Sequence, residues 1–366
     1  MMKEKGPKVF IVAALLLGVF IFGVAYYGWI TATDIFRPVD ANGHGRTISI
    51  EISKGESTAD IADNLQAKGL IRNALAFRVW ARIKDLDTHL QAGIYNKLNT
   101  SMTISDIIDQ LLGGEPDGIR VVIPEGWRIE QIAHRFAAQG LIKFNINDFL
   151  RYTEHIDQFP DAAKYPILRS VPSGDSMEGL LFPASYEVPL DASARDVVNM
   201  MLTALQATIQ GHQLEQTAQQ HHLTLYQMLI LASVVEREIR FDEDRPGVAA
   251  VYWNRVNIPN NETAGFLDAD PTVQYARDTF TPPNADYWAP LTDSAKNIVP
   301  NSPWNTYTFK GFPPTPICSS GLASMEAAAA PPTSEYFYFL NTKDGHTFFA
   351  KTFDEFQRLQ QQYQGK

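Results

Sequence analysis

The sequence predicts an α+β protein: an N-terminal transmembrane helix, a small α/β module, then a larger mixed α/β body. Three observations lead there. Val9 to Ile30 is an uncharged, apolar run. A strand–glycine–helix pattern occurs once near Ile48 and again 71 residues later at Ile119. Beyond Asp117, helical and strand periodicities are interspersed.

The apolar run is 22 residues long, and about 20 suffice to cross a bilayer as a helix, whereas a signal-peptide core is usually 7–15. Tyr26, Tyr27 and Trp29 sit where an interfacial aromatic belt belongs. Lys3, Lys5 and Lys8 precede the run and orient the N-terminus to the cytoplasm. A signal cleaved near Gly23–Ala25 is the competing reading. The preferred one is a cytoplasmic tail (1–8), a single-pass anchor (9–30), a polar tether (31–46) and an extracytoplasmic remainder.

In the module, 47–116, Ile48, Ile50 and Ile52 alternate with polar residues as a half-buried strand does. Ser57 and Thr58 can cap a helix carrying Ile61, Ala62 and Leu65, which Gly69 would stop. A further helix fits Ala74 to Ile83, a strand Leu90 to Leu98, and a short amphipathic helix Thr103 to Gly114. The body, 117–366, opens on the second copy: strand Ile119–Ile123, turn at Gly126, helix positions Ile132, Ala133 and Phe136, and a stop at Gly140. Helices then fit Val197–Gln210, Thr224–Arg240 and Ala323–Ala330, and strands Tyr336–Leu340 and His346–Ala350. Asn254 to Gly321, rich in Pro, Asn and Thr, reads as a long loop region. Its Trp288, Trp304, Tyr307 and Phe312 mark it as ordered and functional.

Charge and motif content exclude several functions. A net charge of −10 argues against nucleic-acid binding. The single Cys318 rules out an intrachain disulfide and any CxxC site. The eight histidines show no metal-ligand spacing, and no Walker loop or GxSxG elbow occurs, so neither metal nor cofactor is expected. Ser233 has no evident base in the sequence.

What remains is "LILASVVEREIR", Leu229 to Arg240. The helix is apolar all round and should be buried. Glu236 and Glu238 lie roughly 200° apart on it, so they should serve different surroundings. Glu236 has Arg240 at i+4, the favourable order for an ion pair. Glu238 has Phe241 and Asp242 instead, with Leu231, Val234 and Val235 behind it. An apolar wall and a like charge both raise a carboxyl pKa, as a general acid near neutral pH requires. The plain alternative is that both glutamates decorate a helix end.

That stretch, followed by "DEDRPGVAAVYWNRV" (Asp242–Val256), "DADPTVQYA" (Asp268–Ala276), "SPWNTYTFKGFPPTPICSSG" (Ser302–Gly321) and "GHTFFAKTFDEF" (Gly345–Phe356), resembles the YceG-like endolytic murein transglycosylases over nearly the whole chain. "EGLLFPASYEVP" (Glu178–Pro189) and "QAGIYNKL" (Gln91–Leu98) fit the same pattern. The resemblance implies a LysM-like first module and an inner-membrane protein with its catalytic domain in the periplasm. It implies cleavage of the β-1,4 bond between N-acetylmuramic acid and N-acetylglucosamine, leaving a 1,6-anhydro end. The family's catalytic glutamate falls in "VEREI": Glu238 by preference, Glu236 as runner-up. Asn305, Thr306, Tyr307 and Gln274 are the candidate sugar contacts. Partners implied are glycan strands and the peptidoglycan synthases of elongation or division. Thr315, Cys318, Ser319 and Ser320 depart from the family's usual "GLPPGPI…NPG", which implies a differently shaped cleft. Asp268 and Asp270 could supply a second carboxylate, as a lysozyme-like hydrolase would need, although Asp270 before Pro271 reads more simply as a turn residue. A non-catalytic peptidoglycan-binding scaffold is the other alternative.

Overall fold

The computed structural model describes residues 35–42, 45–53, 55–84, 93–113, 118–172, 175–283, 286–292, 294–342 and 344–363. The expected tail and anchor lie outside these residues. Among the described residues no helix is long and apolar enough to cross a membrane. The chain divides into two units, one running up to Gly118 and including Pro189–Asp191, the other comprising Ile119–Val188 and everything from Ala192.

In the first unit, β1 (Ile50–Ile52) pairs antiparallel with β2 (Gly93–Tyr95), Glu51 opposite Ile94. α1 (Thr58–Ala67) starts where the Ser57 hydroxyl accepts the Asp60 amide, and ends before Gly69, whose φ of +72° suits glycine. α2 (Ala74–Ile83) is capped by Asn73, and α3 is Ile104–Gly113. Ile50, Ile61, Leu65, Phe77, Leu98 and Ile107 fill the core. The Ile35–Asp40 stretch, expected in a free tether, is bound to this unit. Arg72 donates to the Pro38 and Val39 carbonyls at 3.0 Å each, and the Asp40 amide donates to the Thr100 carbonyl at 2.9 Å. A guanidinium that satisfies two carbonyls immobilises a segment whose composition alone reads as polar linker.

The second unit holds all but the first residue of β3 (Gly118–Val122) and all but the last of β4 (Ser185–Pro189), which form a two-stranded sheet. α4 (Ile129–Ala137) repeats the pattern of α1, burying Ile132, Ala133 and Phe136 and stopping before Gly140 at φ +73°. The sequence repeat is thus local, because β1 and β3 have different strand partners. α5 (Ile146–Glu154), α6 (Ala194–Gly211) and α7 (Leu214–Gln220) lead to α8 (Leu225–Glu238). After it come α9 (Arg245–Asn257), α10 (Asp270–Phe280), α11 (Leu322–Ala329), the antiparallel hairpin β5 (Tyr338–Asn341) and β6 (Thr347–Ala350), and α12 (Phe353–Tyr363).

The presumed long loop after Asn254 therefore contains a helix. Asp270–Pro271, expected as a turn, opens α10, and Pro246 likewise stands in the first turn of α9. There the missing amide is one that has no intrahelical acceptor anyway.

Candidate active site

α8 supplies the floor of the site. Thr224 and Gln227 form a capping box at its start, and Met228, Leu231, Ala232, Val234 and Val235 are fully buried along it. It stops at Glu238 because Ile239 is extended, and the Asn341 side chain caps the Glu238 carbonyl at 3.0 Å. Glu236, Arg237 and Glu238 thus stand on the last turn and diverge.

Glu236 points into the protein. Its Oε2 accepts the Gly321 amide at 3.0 Å and the Ser324 hydroxyl at 2.8 Å, and forms an ion pair with the Arg245 guanidinium at 3.2 Å. The expected pairing with Arg240 gives way to Arg245, because the helix ends before Arg240 and the i+4 geometry is never built. Arg237 lies over the Trp288 ring, 4.2 Å from its centroid. Glu236 therefore anchors the start of α11.

Glu238 lines a cleft of about 360 Å³ together with Tyr252, Arg255, Asp268, Asp270 and Tyr307. Its aromatic wall is Tyr338, Phe339, Phe353 and Phe356. The Tyr252 hydroxyl donates to Glu238 Oε1 at 2.8 Å. Burial pushes the Glu238 carboxyl up to about 7, against the Tyr252 hydrogen bond and the Arg255 and Arg237 charges, with repulsion from Asp270 adding to the rise. The like charge expected from Asp242 comes from Asp270 instead, since Asp242 turns to Arg245 at 2.8 Å. Asp270 is the first residue of α10 rather than a turn residue, and accepts the Tyr307 hydroxyl at 2.8 Å. Arg255 stands 3.7 Å from Asp268.

Of the four candidate sugar contacts, Tyr307 alone faces this cleft. Asn305 is fully buried, donating to the Ala295 and Ile298 carbonyls and accepting the Tyr307 amide at 3.0 Å. Thr306 is buried between the Ala269 amide and the Thr272 hydroxyl. Gln274 donates to the Ala289 carbonyl at 3.2 Å and is spent on the Trp288–Ala289 loop. Asn-Thr-Tyr works as scaffold, scaffold and cleft residue in turn. Ser233 is interior too, donating to the Ile230 carbonyl and accepting the Ile317 amide. Thr315, Cys318, Ser319 and Ser320 are all buried and none lines the Glu238 cleft, so these departures leave its lining untouched.

Sequence reasoning missed Tyr252, Tyr338, Phe339, Phe353 and Phe356. Tyr252 and Arg255 share one face of α9, three residues apart, which is a signal available once that helix is recognised. The others come from β5 and α12, about 100 residues beyond Glu238 in sequence, with no local mark. Among the described residues no group of three or more His, Cys, Asp or Glu side chains could hold a metal ion.

Comparison with known proteins gives one family. The YceG-like family matches residues 50–362. Endolytic murein transglycosylases from two strains of Streptococcus pneumoniae are 28% identical over 96% of this chain, which spans 64% of their length. The one from Bacillus subtilis is 28% identical over 90% of this chain and 88% of its own. A crystal structure of a YceG-like protein from Listeria monocytogenes superposes with a TM-score of 0.55 at 31% identity, covering 86% of this chain and 99% of that one.

Proposed function

Because the chain belongs to the YceG-like family, we propose that it is an endolytic lytic transglycosylase with Glu238 as its single acid–base. The substrate is the β-1,4 bond between N-acetylmuramic acid and N-acetylglucosamine within peptidoglycan strands. One observation carries the reading: a carboxyl raised to about 7 stands in a cleft with an aromatic wall, one oxygen already held by Tyr252.

That geometry supports the two-step reaction the family resemblance implies. Tyr252 occupies Oε1, which leaves Oε2 to carry the proton. Glu238 gives that proton to the glycosidic oxygen as the C1–O bond breaks, and the N-acetylglucosamine leaves with a free 4-hydroxyl. The muramic C1 becomes oxocarbenium-like, with the Asp268 and Asp270 side chains lining the same cleft. The sugar's own 6-hydroxyl attacks C1, and Glu238, now a carboxylate, takes its proton and is regenerated. No water is consumed, and holding nucleophile and electrophile on one sugar makes the second step intramolecular. The Tyr252 hydrogen bond stabilises the carboxylate between the two steps.

The cleft also favours a second reading. Asp268 and Asp270 bring two further carboxylates beside Glu238, the inventory of a lysozyme-like hydrolase. Mass spectrometry of digested sacculi separates the two: anhydro-ended muropeptides for the transglycosylase, reducing ends for the hydrolase. Absence of new ends would leave a binding scaffold. Glu238→Gln should abolish cleavage with the fold retained, and wild-type activity in that variant would transfer the role to Glu236.

The apolar segment 9–30 is the support for a single-pass inner-membrane protein with a cytoplasmic N-terminus and a periplasmic catalytic unit. The strand–helix–helix–strand order of the first unit is consistent with a LysM-like module that binds glycan or holds the catalytic unit at a set height. Synthases of elongation or division are the partners that such an enzyme would work beside.

A further inference from the structure

The first unit carries an apolar surface that its own fold does not use. Leu75, Val79 and Ile83 are 67%, 51% and 66% exposed. They stand at i, i+4 and i+8 of α2, so they form one stripe along the helix, while Ala74, Phe77 and Ala81 of the same helix enter the core. With Phe36, 38% exposed, they are all the exposed large apolar side chains among the described residues of this unit. Elsewhere the unit buries such groups, so their concentration on one helix marks a surface made to be covered. The exposed Arg82 lies at the stripe's edge, 20° round the helix from Leu75.

The chain itself indicates what covers it. The Phe36 ring packs on Trp80 of α2 with centroids 6.0 Å apart. Arg72, two residues before α2, holds the Pro38 and Val39 carbonyls. The apolar segment ends at Ile30, six residues before Phe36. Six residues reach at most about 20 Å even when fully extended. Wherever Ile30 leaves a bilayer, Phe36 is therefore within about 20 Å of that point, and its ring is in contact with Trp80 of α2. An apolar stripe bordered by arginine is the composition of a helix lying in a membrane interface, aliphatic side chains among the acyl chains and guanidinium at the phosphates.

We propose that α2 is an interfacial helix: Leu75, Val79, Ile83 and Phe36 sit in the outer face of the bilayer spanned by residues 9–30. The proposal rests on the anchor reading above. The first unit is then held against the membrane by two attachments, the spanning segment and α2, instead of swinging on a tether.

The test uses the full chain in nanodiscs of mixed zwitterionic and anionic phospholipid. Cys318 is fully buried, so a nitroxide attached at Val79→Cys or Ile83→Cys labels one site. Relaxation by oxygen, which partitions into lipid, is compared with relaxation by a water-soluble nickel chelate. A matching label at Phe20→Cys reports on the anchor. The expected result is a shift at 79 and 83 toward high oxygen and low nickel accessibility, less deep than at 20. Lipid-like accessibility at 20 with aqueous accessibility at 79 and 83 overturns the proposal and spares the anchor. Aqueous accessibility at 20 overturns both. Shielding of 79 and 83 from both reagents marks a protein surface as the occupant and also overturns it.

Discussion

Tyr252 and Glu238 meet across 2.8 Å, phenol hydroxyl to carboxylate Oε1, from two helices whose residues are 14 positions apart. Tyr252 is 1% exposed, so the bond is sheltered and its direction is fixed. It favours the charged carboxylate, whereas burial favours the neutral acid, and burial is the larger effect. Tyr252→Phe keeps the ring and removes the donor. The carboxyl then rises further, and the alkaline limb of the pH–rate profile moves to higher pH. At neutral pH kcat should fall roughly tenfold, since one charge-assisted hydrogen bond to the carboxylate is lost between the two steps. A pH–rate profile on purified sacculi checks both, and an unmoved limb would remove Tyr252 from the mechanism.

Asp270 acts with the opposite sign. Its charge adds to the rise in Glu238 and is itself held by the Tyr307 hydroxyl. Asp270→Asn removes the repulsion, so the Glu238 carboxyl should titrate lower and the alkaline limb should move to lower pH. Less acid is then available at pH 7 and above. Burial and Asp270 both raise this group, so the Glu238→Gln variant should show no limb at all in any residual activity. Shifts of the same sign from Asp270→Asn and Tyr252→Phe would contradict an electrostatic origin for either.

Glu236 is a structural carboxylate, and its loss should read as instability. Glu236→Ala takes from the buried Arg245 its buried carboxylate partner, leaving the exposed Asp242 and the Ser324 hydroxyl, and removes the acceptor of the Gly321 amide and the Ser324 hydroxyl. A cost of about 3 kcal/mol follows from breaking one side of a buried pair. Denaturant unfolding measures it. Protein that remains folded should still release anhydro-ended products, and an inactive but fully stable Glu236→Gln would shift the acid's role to this residue.

How much of this is legible in the sequence depends on distance along the chain. α8 is plain, because the eight-residue run Met228–Val235, apolar but for Ser233 and buried throughout, reads as a core helix once Thr224 caps it. The separation of Glu236 from Glu238 follows from helical geometry alone, whereas the preference for Glu238 leans on the family resemblance and on a Glu236–Arg240 pair that the structure replaces with Glu236–Arg245. What fails are the partners. Arg240 is chosen over Arg245 because a sequence does not announce that Ile239 turns extended. Asp242 is chosen over Asp270 because the nearer residue is the visible one. α10 is hidden because Asp270–Pro271, expected as a turn, initiates a helix. The apparent tether at 35–40 hides the same way, its order coming from Arg72 more than thirty residues on.

Phe353 carries the last prediction. It opens α12, and its backbone amide is held by Glu262 Oε2 at 3.0 Å, the carboxylate that also receives the Tyr338 hydroxyl at 3.3 Å. Its ring leans on Tyr338 at 5.9 Å yet stays 49% exposed on the wall of the Glu238 cleft. In the proposed function, a fixed, half-open ring on this wall is suited to stack on the C–H side of a sugar. Stacking there is made equally in ground and transition states, so it tightens binding without speeding the chemical step. Phe353→Ala should raise KM for glycan strands roughly fivefold, about 1 kcal/mol for half a buried aromatic ring, with kcat nearly unchanged. Phe353→Trp should restore KM. Steady-state kinetics on strands of defined length measure both, and a fall in kcat at constant KM would make Phe353 a support for Tyr338 and the cleft wall, with no sugar on its face.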